Sequence, residues 1–228
     1  MIYTIQTDEL TVRINDKGAE LWSIKTPDGT EYLWQGDPKY WPDRAPNLFP
    51  QVGLCTDGCY ELDGKRYPMD IHGFIKDTVL HVEDAAPDRI TFWCEDTADT
   101  LRVYPFRFRY ELRYRLSGSK LHICIRVEMH FSVGGHPGFN VPLEQGLSYG
   151  DYCLQFPAGA TARRVACTPG PCQMADGIAD YPLPDGKIPL SHALFADRVI
   201  ILQDMPHTVT LCAARGKKQV TVDFPDMK

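Results

Sequence analysis

The 228-residue sequence predicts an antiparallel all-β fold with few short helical turns. Three observations carry that prediction. Apolar residues recur at every second position in run after run, turn chemistry separates the runs, and the spacing of an amphipathic helix is almost absent.

The first clear runs are Leu10–Ile14 and Leu21–Ile24, the second closed by Pro27-Asp28-Gly29. Leu62-Asp63-Gly64-Lys65 reads as a tight turn, because Asp-Gly adopts the positive φ values that a two-residue hairpin needs. Val79–Val82 and Ile90–Cys94 follow. The strongest run is Phe106–Leu116, with Phe106, Phe108, Tyr110, Leu112, Tyr114 and Leu116 on one face and only charged residues on the other. One face enters a core and one meets water, so the stripe Arg107, Arg109, Arg113 and Arg115 reads as a solvated face. Ser117-Gly118-Ser119 turns the chain into Leu121–Val127. The alternation then continues to Val133 without a turn residue, longer than the roughly five or six residues of an ordinary strand. A turn, or an omitted loop, is expected at the junction of Glu128 and Met129. Pro184-Asp185-Gly186 precedes Ser191–Phe195, the best candidate for a helical turn, with Ser191 able to cap it. Val199–Leu202, Thr208–Cys212 and Gln219–Phe224 complete the set. The chain contains no linker, repeat or low-complexity segment, and 1–228 reads as a single domain.

Composition narrows the function. Hydrophobic residues make up 43% and charged residues 24% of the chain, enough for a packed core. A formal charge of −6 and a pI near 5.6 remove the cationic footprint of nucleic-acid binding, so no nucleic-acid partner is expected. The first residues alternate instead of forming a basic region before an apolar run, which argues against a signal peptide. No window approaches the roughly 18 apolar residues of a membrane span. A cytoplasmic protein with no membrane partner is the expectation.

The eight cysteines include two close pairs, Cys55/Cys59 and Cys167/Cys172, and neither is backed by a second pair at zinc-site spacing. Cys94 and Cys124 fall inside alternating runs and read as small buried hydrophobes. Among the histidines, His81, His122 and His130 lie in strand runs and carry little functional weight. His72 sits in the turn-rich Pro68-Met69-Asp70-Ile71-His72-Gly73-Phe74, and His136 in Gly134-Gly135-His136-Pro137-Gly138-Phe139-Asn140. Glycine-rich loops let a ligand approach the backbone, and imidazole exchanges protons near neutral pH. Singly, each would be a structural or surface residue more often than a catalytic one.

Taken in order, Asp43-Arg44-Ala45-Pro46-Asn47-Leu48-Phe49-Pro50-Gln51-Val52-Gly53, His72-Gly73-Phe74, Tyr104-Pro105-Phe106-Arg107-Phe108 and Gly134–Asn140 resemble the aldose 1-epimerase (galactose mutarotase) family, closest to its LacX-like subgroup. The resemblance covers nearly the whole chain. It implies a β-supersandwich that holds a sugar, and an isomerase that interconverts the α and β anomers of a hexose by ring opening, with no metal or organic cofactor. It implies that His136 protonates the ring oxygen, that His72 holds the sugar on its ring-oxygen side, and that Arg44 binds substrate. Trp34, Trp41 and Phe74 are candidates for stacking on a pyranose face. A hexose is the first substrate class and a sugar phosphate a lesser variant.

The sequence departs from the family in three places. The family's glutamate base comes late in the chain, whereas no residue after His192 is a glutamate and only Asp197, Asp204, Asp223 and Asp226 are available. The turn before the Gly-His-Pro motif is missing at Glu128 and Met129. Leu54 stands where relatives often carry a basic residue. The expectation is a domain lacking its C-terminal part, with the base beyond Lys228. A non-catalytic carbohydrate-binding module on the same fold is the alternative reading.

Overall fold

The computed structural model describes residues 1–129, 131–167, 174–196 and 199–227. They cluster into two compact units, Met1–Asn140 and Val141–Lys228. His130, Cys172 and Asp197 lie outside the described residues. No described helix is long and apolar enough to cross a membrane.

In the first unit, β1 (Ile2–Gln6), β2 (Thr11–Asn15) and β3 (Leu21–Lys25) form an antiparallel meander. The two-residue β4 (Asn47–Leu48) follows, then the hairpin of β5 (Cys59–Leu62) and β6 (Lys65–Pro68). Its turn has Asp63 and Gly64 at φ +50° and +74°, the conformation expected of Asp-Gly. A second meander runs through β7 (His81–Ala86), β8 (Arg89–Glu95), β9 (Arg109–Ser117) and β10 (Lys120–Val127), with the single helical turn α1 (Thr100–Val103) between β8 and β9. β11 (Gly134–Gly135) returns to pair with β4. The core contains Ile5, Val12, Ile14, Phe92, Tyr110 and Leu112, all almost fully buried.

The pattern of the strongest run is realised from Arg109 onward. Tyr110, Leu112, Tyr114 and Leu116 are buried, and the opposite face is laced by ion pairs such as Arg109 to Glu95 at 3.1 Å and to Glu83 at 3.4 Å. Phe106 and Phe108 are not in the strand. Pro105 interrupts the chain after α1, and Phe108 instead exchanges bonds with Asp96, its N–H reaching Oδ1 at 3.2 Å and its carbonyl accepting the Asp96 N–H at 3.2 Å. Cys94 is buried as expected, whereas Cys124 is exposed. Cys124 shares the outward face of β10 with His122 and Arg126, and strand alternation allows it no other.

β10 ends at Val127, so the long alternation does break near Glu128. Among the described residues beyond it, none pairs with β10. Ser132 N–H donates to Pro50 O at 2.9 Å, and Gly134 and Gly135 pair with Leu48 and Asn47.

In the second unit, β12 (Tyr152–Gln155), β13 (Ala162–Cys167), β14 (Met174–Tyr181), β15 (Lys187–Pro189), β16 (Ile201–Gln203), β17 (Thr208–Ala213) and β18 (Val220–Asp223) form two sheets, ordered β15-β12-β17-β18 and β14-β13-β16. β14 escaped the sequence reading because most of its residues face water, so its side chains carry no alternation; β13 buries only Ala162 and Val165, three positions apart and so not at strand spacing. The helical turn His192–Phe195 forms as expected, with Ser191 Oγ accepting the Leu194 N–H at 3.2 Å. β18 stands at the edge of its sheet.

Candidate active site

The short segment from Pro46 to Pro50 acts as a rail to which two distant loops are attached. On one side its Asn47–Leu48 strand pairs with β11, and Pro46 O accepts the His136 N–H at 3.2 Å. The chain stays zipped beyond that point. Gly138 N–H reaches Arg44 O at 2.8 Å, Trp34 N–H reaches Gly138 O at 2.8 Å, and Asn140 Nδ2 donates to the carbonyls of Glu31 and Leu33 at 2.9 Å each. On the other side Phe49 O accepts from both Phe74 N–H at 3.0 Å and Ile75 N–H at 3.2 Å. The rail is tied to the core by the buried Asn47, whose Nδ2 donates to Gly18 O at 2.9 Å and Ala19 O at 3.1 Å.

Two glycines make these approaches possible. At Gly73 (φ +72°) a Cβ would fall 2.2 Å from Phe49 O, so no other residue allows the loop to lie on the rail. At Gly138 a Cβ would stand 2.8 Å from the Trp41 ring.

The result is that His72 and His136 meet. Their ring centroids are 5.6 Å apart, and the Trp41 ring lies 5.1 Å from that of His136. His136 is exposed and His72 half-buried. His72 is held by a reciprocal pair with Gly53, its N–H donating to Gly53 O at 2.9 Å and its Nδ1 accepting the Gly53 N–H at 3.1 Å. With Nδ1 used as an acceptor, the neutral ring carries its proton on Nε2. Burial holds the His72 imidazole below its ordinary range, helped by His136 and Lys76 and opposed by Asp43. At neutral pH His72 is therefore a neutral hydrogen-bond donor. Its backbone is left-handed, φ +67°, a conformation in which histidine is enriched among non-glycine residues and one that costs energy unless the surroundings enforce it.

Arg44 occupies the same segment by its backbone, but its guanidinium is turned onto Trp22, 3.9 Å from the ring, with Nη1 donating to Trp22 O and Gln35 Oε1 at 2.7 Å each. Burial lowers its pKa, against the pull of Glu20 and Glu31. Of the three aromatic candidates, Trp41 is the one packed against an imidazole, that of His136. Phe74 packs in the core against Phe49, Tyr104 and Phe108, and Trp34 bonds through Nε1 to Trp41 O at 2.8 Å. The sequence reading missed Gly53 as the partner of His72 and Gly138 as the seat of Trp41. Both glycines lie inside the quoted motifs, and only their spatial neighbours reveal the roles. Of the late aspartates, Asp223 Oδ1 accepts from Thr208 Oγ1 at 2.7 Å and Asp204 lies 3.5 Å from Arg163. No group of three or more metal-binding side chains is assembled among the described residues.

Comparison with known proteins places the chain in a family. The aldose 1-epimerase family profile matches residues 1–152. The chain is 29% identical to the chromosomal LacX protein of Lactococcus lactis, over 99% of this chain and 80% of that protein. It superposes with a TM-score of 0.89 on a galactose mutarotase related enzyme from Lactobacillus acidophilus, at 31% identity over 98% of this chain and 78% of the other. A galactose mutarotase-like protein from Lactobacillus casei gives a TM-score of 0.91 at 31% identity, over 99% of this chain and 80% of the other.

Proposed function

The chain belongs to the aldose 1-epimerase family, and on that premise we propose that it is a mutarotase interconverting the α and β anomers of a hexose. The observation that carries the proposal is the pair of imidazoles 5.6 Å apart, one of them locked as an Nε2–H donor.

In this reading His136 gives a proton to the ring oxygen as the bond from that oxygen to the anomeric carbon breaks. A carboxylate, the base that the family resemblance implies, takes the proton of the anomeric hydroxyl, and the open aldehyde rotates and recloses from its other face. The protons then return by the reverse transfers. Neutral His72 offers Nε2–H to the ring-oxygen side of the sugar, which holds the ring without adding a charge that would compete with the acid. Trp41 supplies a flat apolar surface beside His136 for the hydrophobic face of a pyranose. Arg44, oriented by Trp22 and Gln35, is the proposed donor to a sugar hydroxyl. A correctly placed general acid contributes roughly 10²–10⁴-fold.

The test is polarimetry on freshly dissolved α-glucose and α-galactose, with the spontaneous rate subtracted. His136→Asn is expected to lower kcat by about 10²-fold or more with the fold intact. An unchanged kcat removes His136 from the acid role. Saturable sugar binding with no acceleration by the wild-type chain replaces the enzyme reading with that of a carbohydrate-binding protein.

A further inference from the structure

The second unit contains a pair of thiols whose meeting is invisible in the sequence, since Cys153 and Cys212 are 59 residues apart. They are directly opposed across the antiparallel pair β12 and β17, the two inner strands of their four-stranded sheet. Their Sγ atoms are 3.9 Å apart and both residues are half-buried. Alternation explains this partial exposure. The flanking Tyr152, Leu211 and Ala213 are buried, so the cysteines stand together on the other face of the sheet.

We propose that Cys153 and Cys212 are an oxidative modification site that closes to a cross-strand disulfide. Directly opposed residues of an antiparallel pair have Cα atoms about 4.5–5.5 Å apart, inside the span of about 4.4–6.8 Å that a disulfide bridges. The sulfurs must approach to about 2 Å, a closure that side-chain rotation provides while the strands keep their register. The oxidant is a low-molecular-weight disulfide such as oxidised glutathione. One cysteine thiolate attacks it, forming a mixed disulfide and releasing one glutathione thiol. The second cysteine thiolate attacks the protein sulfur of that mixed disulfide, forms the Sγ–Sγ bond and releases the second glutathione thiol. Two electrons pass from the cysteines to the small disulfide, and their two protons end on the released thiols. The bond ties the two central strands of the sheet and closes a long loop, which removes freedom from the unfolded chain.

The experiment uses the full chain incubated with oxidised glutathione, alkylated, digested and analysed by mass spectrometry without reduction. A linked peptide pair containing Cys153 and Cys212, lighter by two hydrogens and released by dithiothreitol, is expected. The eight thiols titrated in denaturant should fall by two. The oxidised protein should unfold on the order of 5–10 °C higher than the reduced one, from the loop closed. Cys212→Ser should stop at a glutathione adduct on Cys153 and show no such rise. Linkage between other cysteines, adducts on the wild type that never close, or a Cys153–Cys212 link without a rise in Tm would each overturn the proposal. The wild-type peptide map decides the linkage even if the serine variant fails to fold.

Discussion

An alanine at Gly138 puts one methyl group into a space that does not exist. Its Cβ would stand 2.8 Å from Trp41 Cζ3, 3.0 Å from Trp34 Cβ and 3.2 Å from Arg44 O. Non-bonded carbons rest about 3.5–4.0 Å apart, so the shortfall against Trp41 is about 0.7–1.2 Å. The backbone cannot retreat, because Gly138 is bonded on both sides, to Arg44 O and from Trp34 N–H, at 2.8 Å each. Trp34 is fixed by its own Nε1 bond to Trp41 O. The displacement therefore falls on the Trp41 ring and passes to His136, 5.1 Å away. Overpacking of this size costs about 1–3 kcal/mol, which for a chain of this length lowers Tm by roughly 2–4 °C per kcal/mol. A shift near 1 Å in a positioned group costs up to about 10²-fold in rate. Gly138→Ala is thus expected to lower Tm by several degrees, shift the tryptophan emission, and reduce kcat/KM in polarimetry by about 10–100-fold. Unchanged Tm and emission would refute the packing argument. A shifted Tm with an unchanged rate would refute the link from Trp41 to His136.

Three further outcomes are expected. Gly73→Ala forces a non-glycine residue to φ +72° with its Cβ 2.2 Å from Phe49 O, so chemical denaturation should show a loss of about 2–4 kcal/mol, and a loss below about 1 kcal/mol would mean that the loop does not rest on Phe49. The Tyr110 hydroxyl is buried without a hydrogen-bond partner among the described residues, so Tyr110→Phe should be neutral or stabilising by up to about 1 kcal/mol in the same assay, and a loss above about 1 kcal/mol would show that the hydroxyl is satisfied. Because the folded protein holds the His72 pKa below the unfolded value of about 6.5, the unfolded chain takes up the proton first; the stability contributed is full above that pH and is lost as pH falls below it. His72→Asn, which suits a left-handed backbone and leaves an oxygen to accept the Gly53 N–H, should flatten that part of the urea-midpoint profile, and an unaltered slope would assign the pH dependence to other groups.

The fold class was legible in the sequence because strand alternation and Asp-Gly turns are local properties. β9 from Tyr110 to Leu116, the Asp63-Gly64 turn and the Ser191 cap each follow from residues within a few positions of one another. Alternation failed where burial did not impose it, in β14, and overreached where a neighbour intervened, as Asp96 does at Phe108. Local chemistry also marked His72 and His136 as residues in permissive loops, and the ordered motifs pointed to the family. Only the tertiary structure decided that the two imidazoles meet, because the Pro46–Pro50 rail that joins them acts through backbone atoms whose partners lie far along the chain. It likewise decided that Gly53 sets the tautomer of His72, that Arg44 lies on Trp22, and that Cys153 opposes Cys212. The physical reason is common to all of them: residue types and short-range spacing determine which conformations are cheap, whereas sheet register and the close approach of loops determine which atoms become neighbours.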